Sequence, residues 1–89
     1  MNNSDTPQLE FPLIFPLKII GLNEDDFQSF VVEIVREHFP DLLNENITSR
    51  MSNGDKYLSV SVEFWAESRE KVDALCAELA THSRVKMLL

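Results

Sequence analysis

The sequence contains very little cysteine, and this scarcity excludes several kinds of site. Its one cysteine, Cys76, permits neither an internal disulfide nor a metal centre built from several cysteines. Iron–sulfur ferredoxins and CxxC metal carriers are excluded for the same reason. Because Cys76 lies between Leu75 and Leu79 on a predicted apolar helix face, we interpret it as a small buried hydrophobic residue.

Basic residues and long apolar runs are also scarce. The chain has 8 Lys and Arg residues against 15 Asp and Glu residues, which gives a formal net charge of −7. This charge repels phosphate backbones and anionic bilayers, so we expect neither nucleic acid nor a membrane as a partner. No apolar run approaches the ~20 residues of a membrane helix. The polar start "MNNSDTPQLE" also differs from a signal peptide, and we predict a cytoplasmic protein.

No group of residues has the spacing of a catalytic or metal site. His38 and His82 are each predicted near the end of a helix, where the helix dipole accounts for them. Neither has a carboxylate or a second histidine at metal-ligand spacing. We therefore predict no catalytic residues, no metal, no cofactor and a protein that is not an enzyme.

The first half of the chain predicts an arm, a strand and a helix. Residues 1–10 are polar and predict a flexible arm, followed by a single domain over residues 11–89. The run "LIFPLKII" predicts a strand that begins at about Leu17, because Pro16 lacks an amide donor, and that ends at Gly21. Asn23 is predicted to cap a helix that holds the acids of residues 24–26 in its first turn and stops before Pro40. Its apolar stripe consists of Phe27, Phe30, Val31, Ile34, Val35 and Phe39.

Asn53-Gly54 predicts a hairpin between two strands of alternating pattern. A loop of two residues places Ile47 opposite Val60, and a loop of four places it opposite Val62. Both registers match the apolar faces, whereas a three-residue loop does not. The two-residue register would also bring Arg50 to Tyr57 as a cation–π pair.

The second half predicts a helix capped by Ser68 and a last strand in "RVKMLL", where Val85, Met87 and Leu89 alternate with Lys86 and Leu88. The order βαββαβ predicts an α+β two-layer sandwich, the ferredoxin-like fold. Right-handed crossovers place both helices on one face of an antiparallel sheet in strand order 4-1-3-2.

The sheet face opposite the helices is predicted to be open, and it is our first candidate site. RNA-recognition domains use this face, but Glu63 and the acidic charge disfavour RNA here. Its apolar members favour burial against another protein or a second copy of the chain. The predicted interaction surface consists of Ile20, Arg50, Tyr57, Glu63, Trp65 and Leu88.

Three segments, "LEFPLIFPLKIIG", "SNGDKYLSVSV" and "RVKMLL", together resemble the YbeD-like family of small bacterial proteins. The likeness spans residues 9–89. It implies a fold similar to ACT regulatory domains, which commonly bind amino acids at dimer interfaces, and genes often found beside those of lipoate-attachment enzymes. The family has no established activity.

Two hypotheses follow. The first is a regulatory or adaptor module that acts through its sheet by protein–protein contact or homodimerisation. The second is a sensor of an amino acid or lipoate-related molecule, bound in the loop of Gly21, Leu22 and Asn23, where a helix start offers backbone amides.

Overall fold

Four strands and two helices follow one another in the order βαββαβ along the part of the chain that a computed structural model describes, residues 10–24 and 26–89. The predicted arm therefore lies, except for Glu10, outside the described residues. The strands are β1 (Leu13–Leu22), β2 (Ile47–Met51), β3 (Tyr57–Ala66) and β4 (Val85–Leu88), and the helices are α1 (Phe27–His38) and α2 (Arg69–Ala80). Short 3₁₀ turns precede β2 and β3, at Asn44–Asn46 and Asn53–Asp55.

The strands form one antiparallel sheet in the order β2-β3-β1-β4, which confirms the predicted topology. β1 and β3 pair over their full length at the centre, with Leu17 opposite Val62. Alternate residues of these strands are buried against both helices, because side chains of a strand point to opposite faces in turn. The resulting core includes Leu17, Ile19, Val60, Val62 and Phe64 of the sheet and Phe27, Val31, Val35, Val72, Leu75 and Leu79 of the helices.

The first strand begins at Leu13, four residues earlier than the position predicted from Pro16. The amide and carbonyl of Lys18 bond to Leu89 on the outer side of β1. Pro16, two residues away, turns its nitrogen to the same side. Among the described residues, no strand pairs with the Leu13–Leu17 segment on that side. Pro16 therefore lies where the sheet needs no N–H donor, and the strand continues through it.

Helix α1 begins at Phe27, so the prediction that Asn23 is its cap was wrong. The cap position is Asp26, with φ 54°, and no side chain caps the helix. The Asn23 side chain is used elsewhere: its amide donates to the carbonyl oxygen of Asp55 at 3.1 Å. The backbone N–H of Asn23 also donates to the carbonyl of Lys56, so this loop is tied to the β2–β3 hairpin.

The hairpin adopts the longer of the two predicted registers. Ile47 lies opposite Val62 and Met51 opposite Leu58. The N–H of Ser52 donates to the carbonyl of Tyr57, which leaves four residues in the loop. Positive φ angles fall on Gly54 (82°) and Asp55 (59°), where a left-handed turn is required. The loop length is even, as the matching of the apolar faces requires.

A β-bulge in β4 changes which of its side chains face the core. Ile20 lies opposite Met87, but the next residue, Gly21, lies opposite Val85. Lys86 is therefore an extra residue in β4 with no counterpart in β1. Leu88 consequently lies opposite Ile19 and packs against the core. The prediction that Leu88 lies on the open face was wrong, because strict alternation cannot anticipate a bulge. Met87 takes that place.

Candidate functional site

The open sheet face is the side of the sheet that neither helix covers. Strand register and alternation assign its members, which lie in rows across neighbouring strands. They are Ile14, Pro16, Lys18, Ile20 and Leu22 of β1, Thr48 and Arg50 of β2, Tyr57, Ser59, Ser61, Glu63 and Trp65 of β3, and Met87 and Leu89 at the β4 edge.

One end of the open sheet face is apolar. Ile14 lies directly opposite Trp65, and each side chain is 53% exposed. Such directly opposed side chains are the closest neighbours that an antiparallel sheet offers. We call these two residues the apolar end. Large side chains this exposed on a sheet are candidates for burial against a partner.

A groove of about 360 Å³ runs along the sheet edge beside the apolar end. It exists because β2 begins at Ile47, opposite Val62, whereas β3 continues to Ala66. The loop after α1 forms the opposite wall. Its lining includes Ile14, Trp65, Leu42, Leu43, Glu63 and Lys71. The groove thus extends the apolar end with Leu43, which is also exposed.

The centre of the open sheet face is polar. Lys18, Ser61 and Thr48 form one row across three strands, and Ser59 and Arg50 form part of the next. In this register Arg50 lies opposite Ser59, so the cation–π pair expected between Arg50 and Tyr57 is not formed. The cation over the Tyr57 ring is Lys56, at 5.5 Å from the centroid. Tyr57 and Glu63 lie on the open face as predicted.

The loop of Gly21, Leu22 and Asn23 is packed more closely than a ligand site requires. Gly21 is buried, and an added Cβ would clash with the Phe27 ring and with the carbonyl oxygen of Arg84. The small residue is therefore needed for packing. Leu22 is half-buried and Asn23 is engaged with the hairpin.

A shallow depression remains beside that loop, between Asn23, Glu24, Asp26 and Arg84. The guanidinium of Arg84 is paired with Asp26 at 3.2 Å and lies 4.7 Å from the centroid of the Phe30 ring. Its charge is thus already compensated within the protein.

The two histidines are used in contacts between elements. His38 Nε2 lies 2.7 Å from Glu78 Oε1, and this contact links α1 to α2. The two residues are 40 positions apart, so no local motif in the sequence pairs them. His82 meets the Phe30 ring edge-on at 5.1 Å between centroids. Over residues 10–24 and 26–89, no three metal-ligating side chains come together.

Cys76 is half-buried beside the core on α2. Burial, and then the nearby charge of Asp73, raise the pKa of its thiol above the usual value. A raised pKa reduces the thiolate fraction at neutral pH, so this thiol is a poor nucleophile.

The sequence interpretation missed Ile14, Met87 and Leu89 as members of the open sheet face. For Ile14 a signal was available, because it has the same strand parity as Lys18 and Ile20. For Met87 no local signal existed, since the bulge in β4 decides its side. None of the described helices is long and apolar enough to cross a membrane.

The fold and this uncovered sheet define a small two-layer sandwich of the ACT-like class. A solution structure of the ACT domain from GTP pyrophosphokinase of Chlorobium tepidum aligns with a TM-score of 0.69 and 13% identity, over 86% of this chain and 83% of that one. The solution structure of protein HP0495 from H. pylori aligns with a TM-score of 0.71 and 14% identity, over 98% and 91% of the two chains. Both likenesses concern the fold alone.

The chain belongs to the family described as "Protein of unknown function (DUF493)", whose model matches residues 6–89. A UPF0250 protein of Chromobacterium violaceum is 37% identical over 89 residues, which is the whole of both chains. Another from Hahella chejuensis is 39% identical over 88 residues, or 99% of this chain and 97% of that one. The resemblance noted from the sequence is confirmed.

Proposed function

We propose that the protein is a non-catalytic regulatory or adaptor module that binds another protein through its open sheet face. The observation that carries this proposal is the apolar end: Ile14 and Trp65 are paired, half-exposed and continuous with the groove. Aromatic and aliphatic side chains at the centre of a buried patch supply most of the binding energy in protein interfaces.

A different protein fits this face better than a second copy does. Face-to-face packing of two copies around the centre would bring Lys18 and Arg50 close to their own equivalents. Each copy also carries a net charge of −7. Like charges that face each other across an interface are costly.

A photo-crosslinking amino acid in place of Trp65, expressed in the native host, tests this proposal. We expect a discrete crosslinked adduct of higher mass whose yield falls when Ile14→Ser is added, because the serine removes half of the apolar end. The matched control carries the crosslinker in place of Met51, which is 54% exposed but lies outside the open sheet face. No adduct at position 65, or equal adducts at both positions, would contradict the proposal. An adduct of twice the chain mass, together with a dimer in sedimentation, would replace the foreign partner by a second copy.

The alternative, a small-molecule sensor at the β1–α1 loop, is supported by the depression of Asn23, Glu24, Asp26 and Arg84. The packed Gly21 and the paired Arg84 count against it. A thermal-shift screen of amino acids and lipoyl or octanoyl compounds separates the two ideas. A rise in melting temperature that Arg84→Ala abolishes would favour the sensor, and a flat screen would count against it.

A further inference from the structure

Five polar side chains surround one shallow depression at the centre of the open sheet face. Its volume is about 290 Å³, and Ser49 of β2 completes the lining. Three strands contribute to it: Lys18 from β1, Thr48 and Arg50 from β2, and Ser59 and Ser61 from β3. Lys18 and Thr48 flank Ser61 in one row, and Arg50 lies beside Ser59 in the next. We call these five residues the central cluster.

The members of the central cluster have no partner among the described residues. No hydrogen bond, ion pair or ring contact joins the side chain of Lys18, Arg50, Thr48, Ser59 or Ser61 to any of them.

Two of the other arginines make contacts within the protein. Arg36 donates to the carbonyl of Leu42 at 2.8 Å, and Arg84 pairs with Asp26. The central cluster therefore keeps two cations and three hydroxyl groups available for an external group.

The local charge of the open sheet face is opposite to that of the whole chain. Its strand residues include two cations, Lys18 and Arg50, and one carboxylate, Glu63, within the described part of the chain. The chain as a whole carries −7. Charges within about a Debye length, roughly 8 Å in physiological salt, dominate what a bound group experiences. An anion is therefore repelled by most of the surface and attracted here.

The donors of the central cluster match a phosphate group better than a carboxylate. A guanidinium offers a planar fork of N–H donors, an ammonium offers three, and each hydroxyl offers one. A phosphate group has more acceptor oxygens for these donors than the two oxygens of a carboxylate. We propose that Lys18, Arg50, Thr48, Ser59 and Ser61 form a binding site for the phosphate group of a small phosphorylated molecule. This site lies on the same open sheet face but uses no residue of the apolar end, so phosphate binding and protein binding are tested separately.

Titration of the ¹⁵N-labelled protein with inorganic phosphate and phenyl phosphate, against chloride at constant ionic strength, tests the site. We expect saturable shifts of the amide signals of Lys18, Thr48, Ser59 and Ser61. Arg50→Ala and Lys18→Ala should each weaken binding by about tenfold, because each removes charge-assisted hydrogen bonds. Both side chains are exposed, and the unshifted signals of the core monitor the fold.

Arg69→Ala is the matched control, since Arg69 is an exposed basic residue of α2, a helix that packs on the other face of the sheet. It should bind phosphate as the unaltered chain does. Shifts that chloride reproduces, or equal losses in Arg69→Ala and Arg50→Ala, would overturn the proposal.

Vesicles containing phosphatidic acid distinguish a lipid headgroup from a soluble phosphate. We expect no cosedimentation, because the net charge of −7 repels an anionic bilayer. Cosedimentation that is lost in Arg50→Ala would overturn the assignment to a small molecule.

Discussion

Gly21 shows how one residue connects the central strand to the first helix. It lies in β1 beneath the Phe27 ring and beside the backbone of Arg84. The absence of a side chain allows three segments to meet, and the ring fills the space above it. From the sequence alone, a glycine at this position suggests a loop that binds a ligand. The structure gives a different reason for it, which is close packing.

We predict that Gly21→Ala lowers the free energy of unfolding by about 1–3 kcal/mol, the usual cost of overpacking a core. Urea denaturation followed by circular dichroism measures this change. The loss should be smaller in a Phe27→Leu background, because the smaller side chain relieves part of the clash. An equal loss in both backgrounds would show that the Phe27 ring is not the obstacle.

At the scale of elements, the outer edge of β1 illustrates how an exposed strand edge is protected. The segment Leu13–Leu17 pairs with β3 on one side, and no described strand pairs with it on the other. Exposed edges of this kind recruit strands of other molecules. Pro16 places its ring, which has no N–H, on that free edge, so the edge lacks a donor that strand addition would need.

We predict that Pro16→Thr causes self-association that grows with protein concentration. Threonine supplies the missing N–H and favours the strand conformation. Size-exclusion chromatography with light scattering measures the change. Pro40→Thr, which replaces a proline that follows α1 outside the sheet, should behave as the unaltered chain does. An unchanged mass for Pro16→Thr at every concentration would mean that the edge is protected in another way.

The whole molecule carries an excess of negative charge. The 15 acidic residues outnumber the basic ones by seven. The ion pair between Lys71 and Glu67, at 4.0 Å, is exposed on both sides. Surface pairs of this kind contribute little to stability, so repulsion between carboxylates outweighs them.

We therefore predict that sodium chloride stabilises the protein, with a gain of about 0.5–1 kcal/mol between low and physiological ionic strength. Screening weakens repulsion in the folded state more than in the expanded chain. Urea denaturation at several chloride concentrations measures the gain, and potassium chloride should give the same result. A stability that falls as chloride is added would indicate that attractive ion pairs dominate instead.

Local patterns in the sequence determined the elements and, through them, the topology. Three features depend on residues close in sequence: the helical stripe from Phe27 to Phe39, the alternation after Gly54 and the Ser68 cap. The Ser68 side chain accepts a hydrogen bond from the Lys71 N–H at 3.3 Å. Short-range periodicity is therefore enough to predict them. The handedness of crossovers then leaves few ways to arrange two helices and four strands. The open sheet face and the place of Trp65 on it follow from that arrangement.

Only the tertiary structure decided which side chains meet. The bulge in β4 turned Leu88 inward and Met87 outward, and the longer hairpin register set Arg50 opposite Ser59. Asn23 found its partner in Asp55, 32 residues away. The central cluster likewise joins β1 to β2 across β3. These contacts depend on register between distant segments, where a shift of one residue reverses a face and local sequence records almost nothing of the choice.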